Sequence, residues 1–195
     1  MKLTFIEYIL IAIVVGASFY IYHQSEFSNL KCIISDVDGK KYCVRDRRKL
    51  ELAADRLANA NKSMKEVVEH CKKKYPKRDN VTRLVSGYNP KKIYETLPTS
   101  KFTAYSQNKG EKLAFCLDTE KNDGDLIDMN TLTFVALHEL SHVATKSVGH
   151  TEEFWENFKF LLKEASEIGV YDPIDYSKSP KRYCGMTITD NPYYG

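Results

Sequence analysis

At 195 residues the chain has room for one ordinary domain beyond a terminal anchor, which argues against a multidomain machine. Composition is that of a globular protein apart from 13 tyrosines, and a net charge of +3 is too weak to argue for nucleic-acid binding. Five cysteines with no C-x-x-C pair argue against a cysteine zinc site and leave at least one thiol unpaired.

Leu3 to Tyr22, LTFIEYILIAIVVGASFYIY, is apolar apart from Glu7 and a few small polar residues. About 20 helical residues cross a bilayer core, and Tyr8, Tyr20 and Tyr22 suit the two interfaces. The competing reading is a signal peptide cut near Val15 and Ala17. A leading basic region of only Lys2, and an apolar run that continues past the cut, favour a retained transmembrane anchor over residues 1–22. Lys31, Lys40, Lys41, Arg45, Arg47, Arg48 and Lys49 follow the span, so the basic-residue rule leans toward a cytoplasmic domain. Residues 23–30 read as a polar linker and 31–195 as the folded domain.

Cys32 to Val37 and Lys40 to Val44 flank Asp38-Gly39, a type I′ hairpin signal that brings Cys32 and Cys43 within bonding reach. A cytoplasmic domain would keep its thiols reduced. Asp46 to Asn59 and Ser63 to Tyr75 read as two helices interrupted at Asn59 to Asn61, the second stopping before Pro76. Lys72, Lys73, Lys74, Lys77 and Arg78 around Tyr75 read as a solvated helix end whose cations complement the dipole, ahead of a nucleic-acid or membrane patch. His23 and His70 read as surface or boundary histidines. Asn80 to Ser86 looks like a short strand, and Pro90 to Leu97 a turn with some helix. Phe102 to Gln107 and Glu111 to Asp118 are two strands joined by Asn108-Lys109-Gly110. Asp118, Asp123, Asp125 and Asp128 lie in an acidic loop that lacks calcium-loop spacing. The mixture predicts an α+β fold.

Asn130 to Trp155, NTLTFVALHELSHVATKSVGHTEEFW, carries three of the five histidines. Asn130 can cap a helix whose apolar residues are Leu132, Val135, Ala136, Leu140 and Val143. On it His138 and His142 stand one turn apart on one face, able to share a metal ion. Glu139 sits about 100° round the helix, placed as a general base for the attacking water. Gly149 can stop this helix and turn the chain back to present His150. Thr151 then caps a helix over Glu152 to Ile168, with Phe154, Trp155, Phe158, Leu161, Leu162 and Ala165 at helical spacing before Gly169. A catalytic zinc wants three protein ligands: His138, His142 and His150, with Glu164 or Glu167 the alternative to the third. The tail is rich in Tyr and Pro and reads as irregular. Tyr183 is a candidate hydrogen-bond donor to the reaction's oxyanion, and Met186 a packing residue beneath the metal.

HELSH, the delayed histidine of GHTEEFW, and the segments TAYSQNKGEKLAFCLD and YCGMTITDNP resemble the WLM-type zinc metallopeptidases, most of all the compact membrane-tethered versions of large DNA viruses. The likeness runs from about Cys32 to Tyr194. It implies a minimal zincin-like domain, Zn2+ as cofactor, and a protein or peptide substrate. The interval from His142 to His150 is longer than in cellular members and their partner-binding tail is missing, so their partners are not carried over. The hairpin ahead of the metal helix would hold an extended substrate by strand addition. Two other readings stand beside the peptidase: a structural membrane or virion protein that keeps the fold without turnover, and a nucleic-acid-associated protein working through Lys72 to Arg78 on DNA-bound proteins.

Overall fold

The structure is a computed structural model that describes residues 4–24, 30–121 and 124–195. The side chain of His23, the connector 25–29 and Asp123 lie outside the described residues. The first helix, α1 (Phe5–Gln24), is long and apolar enough to cross a membrane, and none of its Phe5–Tyr22 window is buried.

The domain is a five-stranded mixed sheet with four helices, followed by a two-stranded hairpin. Strands β1 (Leu30–Ile34), β2 (Lys41–Arg45), β3 (Ile93–Glu95), β4 (Ala104–Gln107) and β5 (Lys112–Phe115) lie in the order β1-β2-β3-β5-β4. The inner pairs β2/β3 and β3/β5 are parallel, and the outer pairs β1/β2 and β4/β5 are antiparallel. Helix α2 (Leu50–Lys74) packs on β1 to β3, α3 (Asp79–Gly87) on α2, and α4 (Met129–Ala144) on α2, α3 and the β4/β5 hairpin. Helix α5 (Glu152–Glu167) packs on α4. The core between them is drawn from Leu57, Met64, Leu84, Phe115, Leu132, Leu137 and Leu161.

Several elements depart from expectation, each for a tertiary reason. The expected break at Asn59 to Asn61 is absent, because α2 runs straight through it. Asn61 is buried, and its amide donates to Tyr42 Oη and to the Pro90 carbonyl while accepting from Tyr88 Oη. With its side chain satisfied across the core, it does not compete for its own helix backbone. The expected strand at Asn80 to Ser86 is α3. Val81, Leu84 and Val85 share a face at helical spacing, and burying that face against α2 and α4 outweighs the strand preference of valine and threonine. The expected turn at Pro90 to Leu97 holds β3. Glu95, the residue that hides the strand, is 2% exposed and accepts from the Arg45 amide and the Arg47 guanidinium.

The β1/β2 loop is also wider than a two-residue turn. Strand pairing stops at Ile34 and Lys41, Ser35 and Lys40 close the loop, and only Gly39 takes a left-handed φ (+67°). Cys32 and Cys43 face each other in this ladder and are disulfide-bonded. Cys116 is bonded to Cys184, and Cys71 alone is free, so the expectation of reduced thiols is corrected. The tail is not wholly irregular: β6 (Lys181–Tyr183) and β7 (Met186–Ile188) form a hairpin whose turn places Cys184 and Gly185 at φ +50° and +80°. That turn is fastened by the Cys116 disulfide and by bonds from the Cys184 and Gly185 amides to the Asp118 and Thr119 carbonyls.

Two of the five basic-cluster residues are committed. Lys74 pairs with Glu164 and Glu167, and the Arg78 guanidinium stacks 4.2 Å above the Phe160 ring. In the acidic loop, Asp118 is buried against Arg45 and Arg47, and Asp128 caps α4.

Candidate metal centre

The α4 helix starts two residues earlier than a cap at Asn130 would set it. Asp128 is the cap, accepting from the Thr131 amide at 2.9 Å and its hydroxyl at 2.8 Å, while Asn130 instead holds the Asp172 backbone. The helix ends at Ala144, five residues ahead of Gly149, with Thr145 as its C-cap. Gly149 (φ +88°) therefore does not stop α4. It lies in the turn that brings the chain back to His150 and to α5, which Thr151 caps as expected.

The turn is held from two sides. Lys109, at the tip of the β4/β5 hairpin, inserts its ammonium among the carbonyls of His142 (3.2 Å), Thr145 (2.8 Å) and Ser147. It supplies the cation that a helix C-terminus favours. The hairpin tip comes this close because Gly110 and Gly87 touch backbone to backbone: a Cβ at Gly110 would lie 2.5 Å from the Gly87 oxygen. On the other side Glu153 accepts from the amides of Lys146 (3.0 Å) and Ser147 (3.2 Å) and from Ser147 Oγ, and pairs with Arg83.

His138, His142 and His150 converge. Each offers a ring nitrogen within 4.8 Å of the others, and His138 Nε2 and His150 Nε2 are 3.0 Å apart. Two nitrogens each about 2.05 Å from a tetrahedral zinc would be about 3.3 Å apart, so the spacing suits one small cation. Burial, then the neighbouring imidazoles, lowers His138 to about 3. Burial, then His150 and Lys109, lowers His142 to about 4. Both rings are thus neutral at pH 7 and keep a lone pair for a metal. Phe154, fully buried, lies against all three rings with centroids 4.3 to 4.9 Å away.

Glu139 is 4% exposed, and its Oε2 is buried with no hydrogen-bond partner. Burial pushes its carboxyl up to about 8. An orphaned carboxyl oxygen beside three converging imidazoles is what a metal-and-water site requires of its protein, and the donor set fits zinc.

Glu164 and Glu167, the alternative third ligands, are not brought to this cluster. Glu164 accepts from His70 Nε2 (2.8 Å) and Lys74 Nζ (3.0 Å) on α2 and from Tyr75 Oη (2.8 Å) at its C-cap, so His70 is a boundary histidine with an interhelical partner. Tyr183 does adjoin the site, but its ring is buried and its hydroxyl donates to the Thr103 carbonyl at 3.2 Å, at the head of β4. That bond ties the hydroxyl to the head of β4. Met186 is not beneath the imidazoles. It is 47% exposed on the wall of the cleft.

The cleft has a volume of about 1030 Å³. Its floor is α4 at Val135, His138 and Glu139, and one side is the whole run from Phe102 to Lys109. Strand β4 is the last in the sheet. The Cys116 amide bonds the Thr103 carbonyl, and pairing continues Tyr105 to Ala114 and Gln107 to Lys112, so alternation turns the amides and carbonyls of Ala104 and Ser106 outward.

Sequence reasoning missed Lys109, Glu153 and Phe154. Phe154 alone carried a signal, standing four residues after His150 on the same helical face.

The family model described as "WLM domain" matches residues 83–192. An uncharacterized protein of Acanthamoeba polyphaga mimivirus is 32% identical over 172 residues, 86% of this chain and 85% of that protein. Similar stretches occur in uncharacterized proteins of Invertebrate iridescent virus 6 (32% identical over 108 residues, 55% of this chain and 60% of that one) and Invertebrate iridescent virus 3 (44% over 61 residues, 30% and 36%). No solved structure gives a significant match.

Proposed function

The chain belongs to the WLM-domain family, and from that premise we propose that it is a membrane-anchored, zinc-dependent peptidase with a zincin-like fold. The observation that carries the reading is the convergence of three imidazoles beside a buried, unpartnered carboxyl group. His138, His142 and His150 would hold the ion, three protein ligands being the number a catalytic zinc takes. Zinc, when bound, supplies a Lewis acid that polarises a carbonyl and makes a water acidic near neutral pH.

The chain's own residues do the rest. Glu139, whose buried carboxyl a cation on the imidazoles would hold ionised, would take the proton from the attacking water and return it to the leaving amine nitrogen. The outward amides and carbonyls of Ala104 and Ser106 support an extended peptide laid along β4. Tyr183 acts on this strand through the Thr103 carbonyl, as a positioning residue. Lys109 and Glu153 hold the turn that delivers His150. The apolar helix α1 supports tethering of the domain to a membrane.

The test is Glu139→Gln in the full chain. Cleavage of a peptide library by wild type should fall at least about a thousandfold in the variant, with zinc content equal in both. Undiminished cleavage by the zinc-loaded variant would end the mechanism.

A further inference from the structure

The cleft beside the imidazoles is chemically one-sided. Its charged lining residues, among those described, are Lys109, Glu139 and Asp190. Lys109 is bound to three carbonyls, and the Asp190 carboxylate accepts from the Asn191 amide. No lining ammonium or guanidinium is thus left to meet an acidic side chain. The walls are apolar. Phe158 lies 5.2 Å, ring to ring, from His138, and Phe134 lies 5.1 Å from Phe158. Val135 on the floor and Met186 and Ile188 of β7 face the same space. An apolar wall therefore starts at a metal-ligand candidate and runs away from it. Trp155, the only tryptophan in the chain, stands at the mouth, 43% exposed and 5.7 Å from the His150 ring.

We propose that this wall is a specificity pocket for one large apolar side chain, of the leucine, methionine or phenylalanine type, on a substrate residue that flanks the scissile bond. The inference rests on the peptidase reading above. A peptide along β4 alternates its side chains between two faces, so a residue whose backbone reaches the imidazoles and Glu139 turns one neighbouring side chain onto the floor of the cleft. There an apolar group leaves water for Phe134, Val135 and Phe158. A carboxylate would lose its hydration and find no free cation, an ammonium would find only the exposed Asp190 carboxylate, which the Asn191 amide already engages, and glycine would leave the pocket unfilled. The occupant is thus a peptide segment with a bulky apolar residue at the cut.

The experiment uses the full chain in nanodiscs with two series of internally quenched peptides. In each, one residue flanking the cleavable bond is Leu, Phe, Gly, Asp or Lys. In one of the two series kcat/KM for Leu and Phe should exceed that for Gly, Asp and Lys by about tenfold or more. The same peptides titrated onto zinc-loaded Glu139→Gln, followed by Trp155 fluorescence, should bind in the same order. Met186→Glu, at an exposed wall position that leaves the core intact, should erase the advantage of Leu and Phe and raise Lys. Equal binding of all five peptides, or a preference for Asp or Lys in wild type, overturns the pocket. Ranked binding without cleavage defeats the peptidase reading and leaves the pocket standing. Cleavage with flat ranking does the reverse.

Discussion

Glu153 shows how much of this site depends on a residue that touches no candidate ligand. Its carboxylate gathers the Lys146 and Ser147 amides and Ser147 Oγ, and these set the turn that carries His150. The two amide bonds come first among the causes that lower its pKa, so it is ionised at neutral pH. Glu153→Gln keeps one acceptor and loses the charge and the second oxygen. Zinc affinity, measured by chelator competition, should fall by about tenfold, the usual cost of losing a ligand's outer support. Thermal stability of the metal-free protein should change little, since the residue is half-exposed. Unchanged affinity would show that the turn is set without it. The histidines and Glu139 are legible in the sequence because their relation is periodic: a fixed spacing on one helix. Glu153 and Lys109 are legible only once a turn and a hairpin tip are in place, because their partners are backbone carbonyls and amides that leave no mark at any fixed spacing, whereas Phe154 shows only in its distance of four residues from His150.

At the scale of elements, the same distinction explains which parts of the fold can be read. Both helices of the site follow from apolar periodicity and the Thr151 cap, and the β4/β5 hairpin from its turn residues. The long α2 and the strand β3 do not, because polar groups at Asn61 and Glu95 are satisfied by residues far along the chain, and α3 is masked by the strand preference of its valines and threonine. The seam between α2 and α5 is a second buried polar contact of this kind. Burial raises the Glu164 pKa, but Lys74, Tyr75 and His70 outweigh it, and the net shift is downward. The folded pKa is then below that of the unfolded chain, about 4.3 for glutamate. Its stabilisation is complete above that value and is lost as pH falls through the folded pKa. Melting temperatures of wild type and Glu164→Gln should therefore differ most at pH 6 to 7 and converge below pH 4. A gap that persists unchanged at pH 3 would mean that packing, not the ionised network, joins the two helices.

For the whole molecule, if α1 anchors the domain as proposed, the two disulfides bear on which side of the membrane the domain would occupy. Basic residues after α1 lean toward the cytoplasm, where thiols stay reduced. Four of the five cysteines are nevertheless paired. The second pair, with a sequence separation of 68, fastens the β6/β7 hairpin to the end of β5. In the chain-entropy account such a loop contributes about 4 kcal/mol, and a tail hairpin with little core of its own has need of it. That hairpin carries Tyr183 and the Met186 wall, so an oxidising compartment preserves the cleft as well as the fold. The flanking charges begin some distance beyond the span, where the charge rule weakens, and the covalent pairing is the stronger indication. Cells expressing the chain, quenched with an alkylating agent before lysis, should yield one reactive thiol per denatured molecule without reductant and five after reduction. The single thiol should be Cys71, which is buried in α2 and should resist alkylation until the protein unfolds. Protease added outside sealed vesicles from these cells, oriented as the plasma membrane is in the cell, should remove the domain. Five thiols without reductant, with the domain protected, would restore the cytoplasmic placement and leave the tail hairpin held by hydrogen bonds alone.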